Sequence, residues 1–280
     1  MMKKDMGSYQ LWISIRMSLV RSMLFATALI ALPVVYILSR AHPPCKQLAL
    51  TDPSSPAFNE TSFDPQASLF ISQGRPNNSN IQLRYNFKSY EEYVQLQLKK
   101  TTNAKLRKIW MTTEWQKKVE LFSAQFEGFM SQGGLIKPGM KALCVGARVG
   151  QEVLALRQLG LKDSIGIDLV PSPPLVVKGD IHKHPFKNNT FDFEFSNVFD
   201  HALFPSLFMS EIERTLKPGG VAVIHVSVKR RADKYSANDL RSLDAFLSLL
   251  KQSDVLHVKE IDLLGLDTEV AIRKRYAQEN

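Results

Sequence analysis

KALCVGARVGQEVLALRQLGLKDSIGIDL, residues 141–169, reads as strand, glycine turn, helix and strand. Ala142 to Val145 is an apolar run without polar alternation, the pattern of a strand buried on both faces, and it stops at Gly146. From Gln151 onward Val153, Leu154, Leu156 and Leu159 trace a helical apolar face, and Gly160 stands where a left-handed cap ends a helix. A second strand, Ser164 to Leu169, carries Asp168 near its end. A carboxylate about twenty residues after a glycine turn, at the carboxyl end of the second strand, can hold a ribose diol.

Departures from the dinucleotide pattern narrow the ligand. The pyrophosphate form, G-x-G-x-x-G, needs its second glycine so that backbone can approach a diphosphate. Here Gly146, Ala147, Arg148, Val149, Gly150 and Gln151 occupy the six places, with Arg148 in the middle and Gln151 last. That disfavours a diphosphate. A cofactor with a ribose, an adenine and a short amino-acid tail needs one tight turn and one acid, and both are present.

Four stretches in this order, CVGARVGQE, IGIDL, Gly179-Asp180 and TFDFEFSN followed by LKPGGVAVIHV, give the chain a resemblance to the class I S-adenosylmethionine-dependent methyltransferases, the type 11 domain included. It extends from about Pro138 onward and is also similar to membrane-anchored plant members of that family. The resemblance implies a Rossmann-like, doubly wound α/β fold with strand order 3-2-1-4-5-7-6 and S-adenosyl-L-methionine as cofactor. It assigns Asp168 to the ribose and Asp180 to the adenine amino group, with Gly146, Ala147, Arg148, Gly150, Ile181 and Asn197 around the cofactor. Cys144 stands where the family often has an acid, and Arg148 where it has a glycine, so the family's contacts to the methionine end do not carry over directly.

Beyond the second strand, Leu169 to Leu175 passes through Pro171, Pro173 and Pro174, leaving no room for a crossover helix. The third strand, 176–178, is therefore expected to be short and at the sheet edge. Phe191 to Ser196 gives the fourth strand, and a helix is expected from the N-cap Ser206. The turn Lys217-Pro218-Gly219-Gly220 leads into a fifth strand, 221–226. A further amphipathic helix is expected over 238–251, before a hairpin of 255–262 and 268–274. The stretch SNVFDHALF follows the fourth strand at the switch point in strand order, where an acceptor should arrive. His201 is the candidate base, with Asp200 to orient it or bind the acceptor.

The amino-terminal part has a different character. Of the net charge of +9, a share lies in residues 1–40, where Lys3, Lys4, Arg16, Arg21 and Arg40 outnumber Asp5. Residues 22–39 are uncharged and would span about 27 Å as a helix, enough for one transmembrane helix. The expected organisation is a cytosolic tail (1–21), a signal anchor (22–39), a stem (40–80), a helical extension (81–135) and a cofactor domain (136–280). Basic residues ahead of the apolar run place the tail in the cytosol and the domain in the lumen of the Golgi or endoplasmic reticulum, as a single-pass type II membrane glycoprotein. A cleaved signal peptide or a transit sequence are the competing readings. Sequons at Asn59 and Asn77 agree with a lumenal stem, and a third begins at Asn188. Residues 99–118 concentrate basic side chains, either as a solvated helix face or as a surface for an acidic substrate.

Three functions fit these features. They are methyl transfer to a small molecule or a glycan, a cofactor-binding scaffold without activity, and a nicotinamide oxidoreductase. The third is disfavoured by Arg148 and Gln151, and a lumenal domain disfavours nucleic acid as partner.

Overall fold

The computed structural model describes residues 80–131, 134–229 and 233–276. The stem, the apolar run 22–39, Asn59, Asn77 and Cys45 lie outside the described residues. Among the described residues no helix is long and apolar enough to cross a membrane.

The chain order begins with a short strand, β1 (Ile81–Leu83), and three helices: α1 (Tyr90–Thr101), α2 (Ala104–Met111) and α3 (Trp115–Ser131). Ser89 caps α1 by accepting from Glu92 N at 3.2 Å, while the Glu92 carboxylate accepts from Lys88 N at 2.7 Å, a Ser-x-x-Glu arrangement that satisfies two amides. In α3, Val119, Phe122, Phe126 and Phe129 recur at helical spacing and are all buried. There follow β2 (Ala142–Val145), α4 (Gln151–Gln158), β3 (Ser164–Asp168), β4 (Val176–Lys178) and β5 (Phe191–Ser196). A 3-10 turn at Phe199–His201 and α5 (Pro205–Thr215) precede β6 (Leu216–Val226), β7 (Asn238–Leu240), α6 (Leu243–Leu247), β8 (Ser253–Leu263) and β9 (Leu266–Lys274).

Seven strands form one sheet in the order β4-β3-β2-β5-β6-β9-β8, parallel except where β9 joins β6 and β8. Counted along this sheet alone, the order is 3-2-1-4-5-7-6. Numbered through the chain it differs, because β1 and β7 pair with each other in a separate two-stranded sheet. Alternation along β2 divides the core: Leu143 and Val145 join the cluster of Phe208, Ile212 and Phe246, while Ala142 and Cys144 join that of Phe122, Phe126 and Phe193. Phe126 meets Phe195 edge to face, centroids 5.2 Å apart. Cys144 is a buried core residue, and burial pushes its thiol up.

No helix links β3 to β4. Residues 169–175 turn back directly, and β4 lies at the sheet edge with Val176 opposite Gly166. A two-residue turn at Leu264 and Gly265, with φ of 54° and 87°, closes the β8–β9 hairpin, and these positive values suit a primed hairpin turn.

Three local expectations are corrected. Residues 238–251 are not one helix: Asn238–Leu240 is β7, and only Leu243–Leu247 is helical. Asn238 Nδ2 donates to the carbonyls of Phe199 and Ala202 at 2.9 and 2.7 Å, and Leu240 pairs with Ile81. That partner lies far away in the chain, so the apolar spacing alone imitates a helix. Helix α5 starts at Pro205 rather than beyond an N-cap at Ser206, since a proline loses nothing where the first amides have no helical acceptor. The Lys217-Pro218-Gly219-Gly220 segment lies inside β6 as a bulge. Phe191 faces Leu216 and Phe193 faces Val221, so five steps along β6 match two along β5.

Candidate functional site

The glycine turn between β2 and α4 is shaped by close packing. Gly146 has φ 78°, and a Cβ there would stand 2.4 Å from Val198 Cγ2. The main-chain N–H groups of Gly146 and Ala147 both donate to Ile167 O at 2.9 Å, which staples the turn to β3. Gly150 shapes the other end, where a Cβ would lie 2.6 Å from Leu175 Cβ. Ala147 and Gly150 thus set backbone shape and do not line the cleft.

Arg148, at φ 51°, holds a left-handed conformation that non-glycine residues seldom adopt. That conformation aims its N–H at Asp168 Oδ2, 3.0 Å away, while Val170 N donates to Oδ1 at 3.1 Å. Burial pushes the Asp168 carboxyl above the ordinary carboxylate range against the pull of these two amides. A carboxylate offers about four acceptor positions, so two remain for ligand hydroxyls. The Arg148 guanidinium does not project freely toward a cofactor tail. It lies over the Trp110 ring, 4.4 Å from the centroid, and Gln151 Nε2 donates to Trp110 O at 2.9 Å. The two residues that depart from the dinucleotide pattern therefore clamp α2 onto the glycine turn.

Asp180 is held by α1. Tyr90 Oη donates to Asp180 Oδ2 at 2.5 Å, and Oδ1 accepts from His182 N at 2.8 Å and faces His182 Nδ1 at 3.1 Å. Burial alone would raise this carboxyl, but the hydrogen bonds from His182 and Tyr90 outweigh it and hold Asp180 low. Tyr90 also stacks on Phe204, while His182 meets Tyr93 edge to face. Ile181 lines the cleft beside Asp180. His184 takes no part: it is buried against Thr215, and burial pushes it down to about 4.

His201 stands at the opposite wall. Gln97 Nε2 donates to Tyr235 O at 2.9 Å, so Gln97 Oε1 faces His201 Nδ1, also at 2.9 Å. An amide oxygen only accepts, so Nδ1 carries the proton and the Nε2 lone pair is left for Lys100 Nζ at 3.3 Å. Burial lowers the His201 pKa, and the Asp200 charge only partly opposes it. Lys100 is paired with Asp233 at 2.6 Å. Asp200 does not orient His201: its Oδ2 is 3.9 Å from Nε2, accepts from Ser236 Oγ, and lies outside the cleft lining. Asn197 is half-buried and also outside the lining.

These walls border a cleft, open to solvent, at the carboxyl ends of β2, β3 and β5. Gly146, Arg148, Asp168, Leu169, Asp180, Ile181, Val198 and His201 line it from the cofactor domain; Tyr93, Gln97, Lys100 and Thr101 line it from α1. Residues 93–101 of α1 are thus a wall of the site, with Trp110 of α2 packed behind Arg148, and Lys100 of the basic run serves there rather than on a solvated face. Sequence reasoning passed over Tyr90, Tyr93, Gln97 and Trp110. The available signal was the pair Arg148 and Gln151, two large polar side chains where a ligand-contacting turn usually has none. Among the described residues no group of His, Cys, Asp and Glu could hold a metal ion.

No curated protein matches the chain. Among solved structures, the Burkholderia thailandensis 1,6-didemethyltoxoflavin-N1-methyltransferase, with bound 1,6-didemethyltoxoflavin and S-adenosylhomocysteine, is similar at 14% identity and a TM-score of 0.50. The match covers 70% of this chain and 95% of that one. The PH0226 protein of Pyrococcus horikoshii OT3 is 15% identical, covers 67% of this chain and 100% of its own, and has a TM-score of 0.46. Likeness at these identities is one of fold. Residues 143–224, from β2 through most of β6, match the methyltransferase domain family.

Proposed function

We propose that this protein is an S-adenosylmethionine-dependent methyltransferase. The observation that carries the reading is Asp168, buried at the end of β3 and fixed by the Arg148 and Val170 amides, with acceptor capacity left for a ribose diol. The cleft fits the cofactor on other counts. Leu169 and Ile181 offer apolar flanks for an adenine, and the tight Gly146 turn lets backbone approach the tail. Asp180 faces the adenine end with its two oxygens already engaged by Tyr90 and His182, so any amino-group contact is shared with those residues. Stacking of Arg148 on Trp110 fills the place where a dinucleotide fold keeps an open glycine, which disfavours a nicotinamide cofactor.

When bound, S-adenosylmethionine supplies an electrophilic methyl group for in-line attack. The chain's own contribution is mainly to position the nucleophile, which can account for much of the acceleration. His201 is neutral, with its proton on Nδ1 held by Gln97 and its Nε2 toward Lys100. It can accept the acceptor's proton once that acceptor displaces the ammonium. An acceptor with negative charge, an acidic small molecule or an acidic glycan, could draw Lys100 away from Asp233 and take its ammonium in place of that carboxylate. We propose further that the protein is membrane-anchored and lumenal, a reading supported by the uncharged residues 22–39 and the basic residues ahead of them.

The test is to incubate full-length protein with methyl-labelled cofactor and a fractionated endomembrane extract. Label should enter an anionic species only when the protein is present. Transfer of hydride from a nicotinamide cofactor instead would overturn the reading.

A further inference from the structure

The turn that leads into β5 carries a motif that methyl transfer leaves unused. Asn188-Asn189-Thr190 fits Asn-x-Ser/Thr without a proline in the middle, the acceptor pattern for an N-linked glycan. Such triplets arise often by chance, so the place of this one in the fold decides whether it can serve. Asn188 is exposed in a turn at the amino end of β5, whereas the cleft opens at the carboxyl ends of β2, β3 and β5. A sugar chain there leaves the cleft clear. Neighbouring main chain holds the turn in place: Asn189 N and Thr190 N donate to Arg214 O and Thr215 O at 3.0 and 2.7 Å, and Thr190 Oγ1 donates to Lys187 O at 2.6 Å. The two asparagines are not equivalent. Asn189, at φ 54°, has its Oδ1 tied to Lys274 Nζ at 2.8 Å. Asn188 Oδ1 accepts from the Arg214 guanidinium at 2.9 Å, and Arg214 is itself fixed by Glu211 at 2.6 Å and by Phe186 O at 2.8 Å. With Oδ1 turned to Arg214, the other arm of the amide, Nδ2, stands on the outer side of an exposed residue.

We propose that Asn188 carries an N-linked glycan. The site rests on the lumenal topology proposed above, because the sugar donor, a lipid-pyrophosphate-linked oligosaccharide, is used on the lumenal side of the endoplasmic reticulum. In that transfer the bond from sugar C1 to the pyrophosphate oxygen breaks, and a bond from C1 to Asn188 Nδ2 forms. Nδ2 gives up one of its two hydrogens as a proton, and the lipid pyrophosphate leaves. Oδ1 takes no part, so its bond from Arg214 survives the modification and orients the linkage away from the sheet. Bulky and solvated, a glycan needs a surface position of this kind.

Full-length protein made in a eukaryotic secretory host tests this by peptide mass spectrometry before and after peptide N-glycosidase, which turns a glycosylated asparagine into aspartate. The peptide that holds residue 188 should show aspartate at that position only after digestion. Thr190→Ala should abolish the modification and Thr190→Ser should keep it, whereas spontaneous deamidation would depend on neither change. Asn188→Gln should lose the sugar and leave S-adenosylhomocysteine affinity unchanged, since the turn lies at the far end of β5 from the cleft. Conversion at Asn59 or Asn77 with residue 188 left bare would overturn the Asn188 site while the lumenal topology stands. No conversion at any of the three sequons would overturn both.

Discussion

Replacing Asp168 with asparagine perturbs the site at its most constrained point. The carboxylate takes one amide on each oxygen, from Arg148 at 3.0 Å and from Val170 at 3.1 Å. In Asp168→Asn one oxygen becomes an NH2 group that faces a main-chain N–H it cannot accept from. The variant also loses the negative charge and at least one of the two acceptor directions available to a ribose diol. A hydrogen bond to a charged group contributes roughly 1.5 to 3 kcal/mol, so losing one should weaken binding by about 10- to 150-fold. Calorimetry with S-adenosylhomocysteine on wild type and variant reads this directly. Since the loss is at the ribose, 5′-methylthioadenosine should suffer by the same factor. A dissociation constant within about threefold of wild type would refute the assignment of Asp168 to the ribose.

Four further outcomes follow from the geometry. His201→Ala should leave S-adenosylhomocysteine affinity within about threefold while turnover falls at least about a hundredfold, the low end of a general base's contribution. Because burial lowers the His201 pKa, wild-type kcat at saturating cofactor should be flat above pH 6.5 and fall only below it as the imidazole takes a proton; a loss that begins well above pH 6.5 contradicts a neutral His201 base. Trp110→Ala removes the surface under Arg148 and should cut cofactor affinity at least about fivefold, given a cation–π contact of about 1 kcal/mol; unchanged affinity would mean that α2 is not a functional wall. Tyr90→Phe deprives Asp180 of a charge-assisted bond and should destabilise the fold by about 1.5 to 3 kcal/mol in urea melts at pH 7. As Asp180 is held below its usual range, that contribution exists above the unfolded pKa of about 3.9 and vanishes as pH falls through the lower folded value, so equal losses at pH 7 and pH 3 would contradict it.

The sheet and its glycine turn were legible because their signals are local. An unbroken apolar run marks β2, Gly146 ends it, and a proline-rich return explains why β4 is short and marginal. Ligand position followed from topology, since the switch in strand order at β2 and β5 fixes where a cleft can open. The α1 wall and its support by Tyr90 and Trp110 were not legible, because they rest on side chains that meet across the chain. Tyr90 reaches Asp180 over 90 residues, Gln97 reaches Tyr235 over 138, and Trp110 reaches Gln151 over 41. For the same reason Asp200 was a natural partner for His201 by adjacency, whereas folding supplies Gln97 instead. Residues 238–240 illustrate the converse: their helical spacing is real, and pairing with 81–83 overrides it.

On the proposed reading, the cleft between the glycine turn, Asp168 and α1 holds S-adenosylmethionine. Calorimetric titration of the full chain with S-adenosylhomocysteine, with NAD as the competing ligand, tests this directly. The expected result is one saturable site for S-adenosylhomocysteine, weakened by Trp110→Ala as well as by Asp168→Asn, and no heat of binding from NAD. Binding of NAD with no response to S-adenosylhomocysteine would contradict it.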